Sequence, residues 1–136
     1  MAGAVREHHA RFLDAIDTGL RTDLLRAATR LQPRAGERFV GRGDDGRDVY
    51  LVARGVVEAV RNGARLATLG PGELVGEIAF VTEARRTADV IAATDDVVIV
   101  RIPAEHLVSL VDRDARAAAA IWQGIARSLA TKLMPH

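Results

Sequence analysis

Residues 70–88 read GPGELVGEIAFVTEARRTA, and this stretch carries most of the information about fold and function. Gly76 has no side chain, so the backbone can approach a ligand closely at that position. Residues 77–81 are predicted to form one short helical turn, whose first N–H groups have no partner inside the helix. Such groups favour an anion such as phosphate. The stretch therefore predicts an anion site beside Gly76.

Two side chains flank this predicted site. Arg86 opens the next predicted strand, and its guanidinium can close over a phosphate that backbone amides already hold. The carboxylate of Glu77 would repel a phosphate alone, but it is a suitable acceptor for a sugar hydroxyl. Taken singly, Arg86 could also be a solvated strand residue and Glu77 an acid that stabilises a helix N-terminus. Together they favour a ligand that contains both a phosphate and a sugar.

Composition limits the class of protein. The 136 residues are 49% hydrophobic and 27% charged, which suits a single domain over 1–136. With 19 basic and 18 acidic residues the net charge is +1, too small for a general attraction to nucleic acid or to an anionic membrane. The chain has no cysteine, which excludes disulfides and thiolate metal sites. No apolar run approaches the roughly 18 residues of a membrane helix, so we expect a soluble, cytoplasmic protein.

Glycine divides the chain into three regions, because nine of the twelve glycines lie between Gly36 and Gly76. Helical spacing predicts N-terminal helices within residues 1–35, over Ala4–Asp17 and Leu20–Leu31. Residues 36–103 show a period of two, which is typical of short strands joined by hairpin turns. The predicted strands are Arg38–Val40, Asp48–Ala53, Val56–Arg61, Arg65–Leu69, Arg86–Ala93 and Val97–Ile102.

Helical spacing returns in residues 104–136. One helix is predicted from about Ala104 to Val111, and Asp112 or Asp114 can cap a final helix that runs to about Leu133. Apolar residues on this final helix lie four apart, at Ile121, Ile125, Leu129 and Leu133. Such a stripe is expected to meet the strands, a second copy of the chain or the ligand.

Two motifs together resemble a known family. The first is GDDGRDVYLVARGVV at residues 43–57, and the second is GEIAF at residues 76–80, followed by Arg86, Thr87 and Ala88. In order and spacing they resemble the cyclic-nucleotide-binding domain of catabolite-activator-type regulators, kinase regulatory subunits and cyclic-nucleotide-gated channels. The resemblance extends from about residue 20 to 133. It implies an α+β fold, an antiparallel β-roll of the double-stranded β-helix or jelly-roll type, flanked by N- and C-terminal helices.

The resemblance also implies roles for residues of the phosphate-binding cassette, 76–88. Arg86 would pair with the cyclic phosphate, and Glu77 would accept a hydrogen bond from the ribose 2′-hydroxyl. Thr87 would offer its hydroxyl to the phosphate or to a purine edge. The backbone of three further residues would donate to phosphate and ribose oxygens: Gly76, Ile78 and Ala79. No catalytic residue, metal ligand or cofactor is implied, and the ligand would be cyclic AMP or cyclic GMP.

The sequence departs from the family pattern at two positions. Arg85 replaces the proline common before the cassette arginine, which is harmless. Asp89 stands where a small or hydroxylated residue is usual, and a carboxylate within about 6 Å of the phosphate would weaken binding. Alternation along the predicted strand places Thr87 and Asp89 on one face and Arg86 on the other.

The function that the resemblance implies is regulatory binding of a 3′,5′-cyclic purine nucleotide, cyclic AMP first and cyclic GMP second, with the C-terminal helix as a moving lid. This describes a binding module and not an enzyme. One alternative is a degenerate sensor that has lost its ligand and serves as a protein-interaction scaffold. A remote one is a cupin-type metal enzyme, which would need histidines on barrel strands. The histidines lie on predicted helices or at the end of the chain: His8, His9, His106 and His136.

Partners follow from what the sequence contains besides the cassette. A helix-turn-helix after the last helix does not fit before His136, so no DNA binding by this chain is expected. The regulatory output would reach an unknown protein effector in trans or a fused domain missing from this sequence. A homodimer through the C-terminal helix is a further expectation.

Overall fold

The computed structural model of the protein describes residues 11–134. A 3-10 turn, Phe12–Ala15, leads into helix α1, Thr18–Leu25. Strands and one short helix follow: β1 Thr29–Leu31, β2 Arg38–Val40, β3 Val49–Arg54, β4 Val57–Arg61, β5 Ala64–Leu69, β6 Leu74–Val75, α2 Glu77–Thr82, β7 Asp89–Ala92 and β8 Val98–Ile102. Two helices close the described part of the chain, α3 Ala104–Arg113 and α4 Ala115–Leu133.

The strands form two four-stranded sheets. Their orders are β1-β8-β3-β6 and β2-β7-β4-β5, and the paired strands within both sheets are antiparallel. Between the sheets lies an apolar layer that includes Val52, Val57, Leu69, Val90 and Ile99. Strands crossing between two facing sheets make a jelly-roll, and helices flank it. The predicted α+β fold with an antiparallel β-roll is confirmed.

The helices pack on the outer face of the first sheet. Because successive residues of a strand point to opposite faces, Val49 and Leu51 of β3 face the helices, where they form a second core with Leu107 of α3 and Ile121 of α4. Asp114 begins α4, since its side chain accepts hydrogen bonds from the backbone N–H groups of the first helical turn at 2.9 and 3.4 Å. This confirms one of the two predicted caps and fixes the start of the helix.

The N-terminal prediction is partly wrong. The helix predicted over Leu20–Leu31 ends at Leu25, and Thr29–Leu31 is strand β1, in which Thr29 lies opposite Arg101 of β8. Helix propensity is a weak preference that tertiary contacts override, and β8 offers an unpaired edge here. Of the predicted helix Ala4–Asp17, residues 4–10 lie outside the described residues, and the remainder contains only the 3-10 turn Phe12–Ala15. The roll therefore begins before residue 36.

Two differences concern the neighbourhood of the cassette. Strand β6, Leu74–Val75, was not predicted, because two residues are too few to show a period of two. The predicted strand Arg86–Ala93 begins only at Asp89, and residues 83–88 are irregular.

Within residues 11–134 no helix is both long enough and apolar enough to cross a membrane.

Candidate functional site

A cavity of about 230 Å³ opens between the second sheet and helix α2. Its walls are mostly aliphatic side chains of β2, β4, β5, β6 and β7, and the cassette closes one side. The lining residues are Val40, Ala59, Leu66, Ala67, Leu69, Val75, Gly76, Glu77, Ile78, Ala79, Arg86, Thr87, Ala88, Val90 and Lys132. All six predicted site residues therefore lie around one cavity. Its apolar walls suit a ring, and its few charged groups lie at the cassette.

Gly76 starts helix α2 in a conformation that requires glycine. Its φ is +87°, in the left-handed region that other residues rarely adopt. A Cβ at this position would lie 3.0 Å from the carbonyl oxygen of Asp48 and would collide with the guanidinium of Arg86. The first N–H groups of α2, those of Glu77, Ile78 and Ala79, have no acceptor inside the helix. The predicted close approach of backbone to ligand is thus sterically available here.

Arg86 is buried, with 6% of its surface exposed. Its Nη1 donates to the carbonyl oxygen of Gly76 at 3.1 Å, and its Nη2 donates to that of Asp48 at 2.7 Å. The guanidinium carbon lies 5.6 Å from the centre of the Tyr50 ring. Burial lowers the pKa of Arg86 from its ordinary value, and the neighbouring Tyr50 and Asp48 oppose that shift. The group remains charged, so an anionic acceptor would stabilise it more than the two neutral carbonyls do.

The irregular backbone around Arg86 is held by the loop before β3. The N–H of Arg86 donates to the carbonyl of Asp44 at 2.9 Å, and the carbonyl of Arg86 accepts from the N–H of Gly43 at 2.8 Å. These bonds place the side chain under Gly46, where a Cβ would lie 3.3 Å from its Nη2. The first motif of the sequence, which begins at Gly43, thus positions the arginine of the second.

Glu77 is the most buried charged residue of the described chain, with 1% of its surface exposed. Its carboxylate is already paired. Lys132 Nζ donates to both carboxylate oxygens at 2.7 Å and to the carbonyl of Leu74 at 2.9 Å. The hydroxyl of Ser128 donates to Oε2 of the same carboxylate. The residue predicted to accept a ribose hydroxyl is therefore occupied by two side chains of helix α4.

The remaining cassette residues line the cavity with different exposure. Ala79 is 3% exposed, whereas Ile78 is 40% exposed and Thr87 is also exposed. Alternation placed Thr87 on the same face as Asp89, and this prediction is wrong because the regular strand starts only at Asp89. Asp89 points away from the cavity lining: its Oδ1 accepts from the backbone N–H of Arg42 at 2.8 Å.

Neither Ser128 nor Lys132 is among the site residues predicted from the sequence. An α-helix turns by about 100° per residue, so residues spaced strictly four apart rotate around it by about 40° at each step. Leu133 is accordingly 86% exposed, while Ile121 and Ile125 are buried. Spacings of seven and eleven from Ile121 return to the same face, which brings Ser128 and Lys132 into register with the buried side. The sequence therefore contained the information needed to place Ser128 and Lys132, in their positions around the helix relative to Ile121.

Aromatic contacts connect the cassette helix to α4. The rings of Phe80 and Trp122 lie 5.8 Å apart between centroids, with 32° between their planes. The guanidinium carbon of Arg47 lies 5.4 Å from the centre of the Phe80 ring, and its Nη2 donates to the Phe80 carbonyl at 2.8 Å. Any shift of α2 against α4 must therefore change the surroundings of Trp122.

Among residues 11–134 the single histidine lies on a helix and not on a strand. His106 lies in α3, as predicted, with its Nε2 at 2.7 Å from the carbonyl oxygen of Asp23. The other three, His8, His9 and His136, lie outside the described residues. Among residues 11–134, no group of three or more His, Asp or Glu side chains is arranged to hold a metal ion.

The fold and the cassette geometry agree with a comparison to protein families. Residues 30–114 match the family model of the cyclic nucleotide-binding domain. This match covers more than half of the chain, so the protein belongs to the cyclic nucleotide-binding domain family. The resemblance inferred from the two motifs is confirmed, and the chain is a cyclic-nucleotide-binding regulatory domain.

Two proteins that are similar in sequence to this chain have names that fit this family. The chain is 38% identical over 58 residues to a cAMP-dependent protein kinase regulatory subunit of Yarrowia lipolytica, a stretch that covers 43% of this chain and 16% of the relative. It is 33% identical over 73 residues to a cGMP-dependent protein kinase of Caenorhabditis elegans, covering 54% of this chain and 9% of the kinase. The chain thus spans less than a fifth of the length of these two relatives.

A solved structure shows the same architecture. The catabolite activator protein of Thermus thermophilus superposes with a TM-score of 0.73 at 28% identity. The superposition covers 88% of this chain and 58% of that protein.

Proposed function

We propose that this chain binds a 3′,5′-cyclic purine nucleotide, cyclic AMP in preference to cyclic GMP, and that binding moves helix α4. The observation that carries the proposal is the placement of Arg86 and Glu77 on the wall of one apolar cavity, together with Gly76 and the first residues of α2. A cyclic nucleotide combines an anion, a ribose hydroxyl and an apolar ring, and each has a matching surface in this cavity.

The phosphate end of the proposal rests on Arg86. A buried guanidinium that donates to two neutral carbonyl oxygens gains a charge-assisted hydrogen bond when a phosphate replaces one of them. The N–H groups at the start of α2 add donors on the opposite side of the same anion. Gly76 allows the approach because no Cβ stands between the anion and the backbone.

The base end rests on the aliphatic walls. Val40, Leu69 and Val90 offer no hydrogen-bonding side chain, so we propose that the purine is held chiefly by burial of its faces. Thr87 is the cassette residue whose hydroxyl can reach a base edge, and one neutral hydrogen bond is worth about 1 kcal/mol. The preference between adenine and guanine is accordingly expected to be small.

Calorimetric titration of the purified chain tests the proposal. The ligands are cyclic AMP, cyclic GMP, linear AMP and 2′-deoxy cyclic AMP. Cyclic AMP should bind most tightly, cyclic GMP within about tenfold, and linear AMP far more weakly. If Glu77 accepts the ribose hydroxyl, the 2′-deoxy compound should lose about 1–3 kcal/mol. A folded chain that binds none of the cyclic nucleotides would favour the scaffold alternative.

The regulatory part of the proposal concerns what lies beyond this chain. We propose that the domain acts as a binding module without catalysis of its own, in the cytoplasm, and passes its signal to a fused domain or a protein partner. That the chain itself does not bind DNA, and that α4 can pair two copies, remain predictions. Sedimentation with and without cyclic AMP addresses the second of them.

A further inference from the structure

Two sets of hydrogen-bond donors compete for the carboxylate of Glu77. The proposed function needs it as the acceptor for a ribose hydroxyl, yet in this structure the ammonium of Lys132 lies 2.7 Å from both of its oxygens. Ser128 donates to one of the same oxygens. Only 1% of the Glu77 surface is exposed. A ligand hydroxyl at this carboxylate therefore has to compete with the α4 side chains for its oxygens.

We infer that Lys132 is an internal competitor of the ligand: a latch that the ribose hydroxyl must displace from Glu77, so that ribose recognition and release of the end of α4 are one event. This inference rests on the proposed function, because it takes Glu77 as the ribose acceptor. Lys132, a residue outside the cassette, would then help to set the affinity for the ligand. The ribose 2′-hydroxyl would be the ligand group that displaces it.

The hydrogen bonds of Lys132 support a latch. An ammonium has three donor hydrogens, and three acceptors surround this one: both Glu77 oxygens and the carbonyl of Leu74 at 2.9 Å. Its side chain is 23% exposed, whereas that of Glu77 is 1% exposed. The carboxylate end of the contact is thus shielded from solvent, whereas the ammonium end can withdraw into solvent.

The position of Lys132 on α4 also supports a latch. The helix ends one residue later, at Leu133, and Leu133 and Met134 are 86% and 57% exposed. Ile125 and Ile121, about two and three turns earlier, are buried and anchor the helix. The last turn can consequently leave the cavity without unpacking the core, and its hold on the cassette comes chiefly from the polar contacts to Glu77.

Three proteins test the latch: wild type, Lys132→Met, and Arg127→Met as the matched control. Arg127 is an exposed cation on the same helix and lines no part of the cavity. Lys132→Met should bind cyclic AMP about tenfold more tightly than wild type, beyond the roughly fivefold that an exposed ion pair reaches. Arg127→Met should stay within about twofold of wild type.

The 2′-deoxy analogue separates a latch from a general charge or stability effect. It has no hydroxyl that competes for Glu77, so Lys132→Met should not bind it more tightly than wild type does. A gain limited to the ligand with the 2′-hydroxyl supports the latch. Equal gains for both ligands, no gain, or weaker binding of cyclic AMP would overturn it.

A second variant covers the case in which Lys132→Met does not fold. Ser128→Ala removes one donor to Glu77 and keeps the ammonium, and it should raise cyclic AMP affinity about threefold with the same dependence on the 2′-hydroxyl. An unchanged or reduced affinity would count against the latch. If none of these proteins binds any cyclic nucleotide, the proposed function itself is wrong, and the latch fails with it. Nucleotide binding by wild type without the variant pattern overturns the latch alone.

Discussion

Arg85 and Arg86 are neighbours in the sequence with opposite surroundings. Arg85 is exposed, and its Nε lies 3.5 Å from an exposed carboxylate of Asp45. Arg86 is buried on the cavity wall with two carbonyl acceptors. Two identical side chains, one residue apart, therefore provide a matched pair for testing what burial at the cassette does.

Arg86→Ala is expected to remove most of the cyclic AMP affinity. Truncating one partner of a buried, hydrogen-bonded charge pair costs about 2–5 kcal/mol, which corresponds to roughly 30-fold to several thousand-fold in Kd. Arg85→Ala should change Kd by less than about fivefold, because exposed ion pairs contribute little. Titration of both variants, with circular dichroism to verify folding, is the measurement. A folded Arg86→Ala protein that binds within threefold of wild type would remove the phosphate assignment.

Thr87→Ala is expected to change the balance between cyclic GMP and cyclic AMP. Thr87 is exposed and lines the cavity, and the proposed function assigns its hydroxyl to the guanine amino group. Its removal should cost cyclic GMP about 1 kcal/mol more than cyclic AMP. The ratio of the two Kd values is the readout, because it cancels general effects on the fold. An unchanged ratio would show that Thr87 does not set selectivity.

At the residue scale, the sequence predicted the side chains whose chemistry lies within one motif. Gly76, Glu77 and Arg86 could be assigned because a glycine, an acid and an arginine at that spacing suit one ligand. Ser128 could not be assigned in this way, because its role depends on the phase of α4 and on a partner 51 residues away in sequence. The state of Glu77 was equally hidden, since a carboxylate does not reveal in sequence that its own chain covers it.

At the element scale, strands bounded by clear turns were predicted well, and elements defined only by their partners were not. Strands β2, β4 and β5 lie within a residue or two of the predicted ranges. Strand β1 was mistaken for helix because only its pairing with β8 makes it a strand. The two-residue strand β6 exists because it pairs with β3. The local spacing of apolar residues does not reveal that β1 pairs with β8 or that β6 pairs with β3.

Helix α4 meets the 3-10 turn at a glycine. A Cβ on Gly124 would lie 2.7 Å from two ring carbons of Phe12, which is 3% exposed and has no room to retreat. Gly124→Ala should therefore destabilise the protein, because overpacking costs about 1–3 kcal/mol and outweighs the 0.5–1 kcal/mol or so that alanine gains over glycine in a helix. Thermal denaturation should show a fall of a few degrees in Tm.

Gln123→Ala is the control for Gly124→Ala, because it changes an exposed position on the same turn of the helix. It should leave Tm within about a degree of wild type or raise it slightly. A Gly124→Ala protein as stable as this control would show that the turn at Phe12 yields without cost. The packing of the N-terminal segment on α4 would then be looser than the distances indicate.

At the scale of the whole molecule, the described residues form two apolar cores, one within the roll and one between the helices and the first sheet. The core between the sheets, which includes Val52 and Ile99, fills the interior of the roll that carries the cavity. The other core, which includes Leu107 and Ile121, joins the helices to the outer face of the first sheet. The cassette lies between them, since Phe80 belongs to the helical core while Gly76 and Glu77 line the cavity. A ligand that reshapes α2 therefore acts on the roll and the helices together.

Saturation with cyclic AMP is expected to raise the stability of the whole chain and to change the surroundings of Trp122. A ligand at one hundred times its Kd stabilises the folded state by about 2.7 kcal/mol, so Tm should rise. Trp122 lies on α4 with its ring 5.8 Å from Phe80 of α2, so its emission should change when the two helices shift.

Inorganic phosphate should leave the emission unchanged, because it touches only the anion site and lacks the ribose and base that favour one position of α4. Amide exchange over residues 112–134 provides the second measurement, because it reports on the backbone of α4 directly. If cyclic AMP raises Tm but alters neither signal, α4 is not the moving element, and the output must leave through the cassette or through the N-terminal segment.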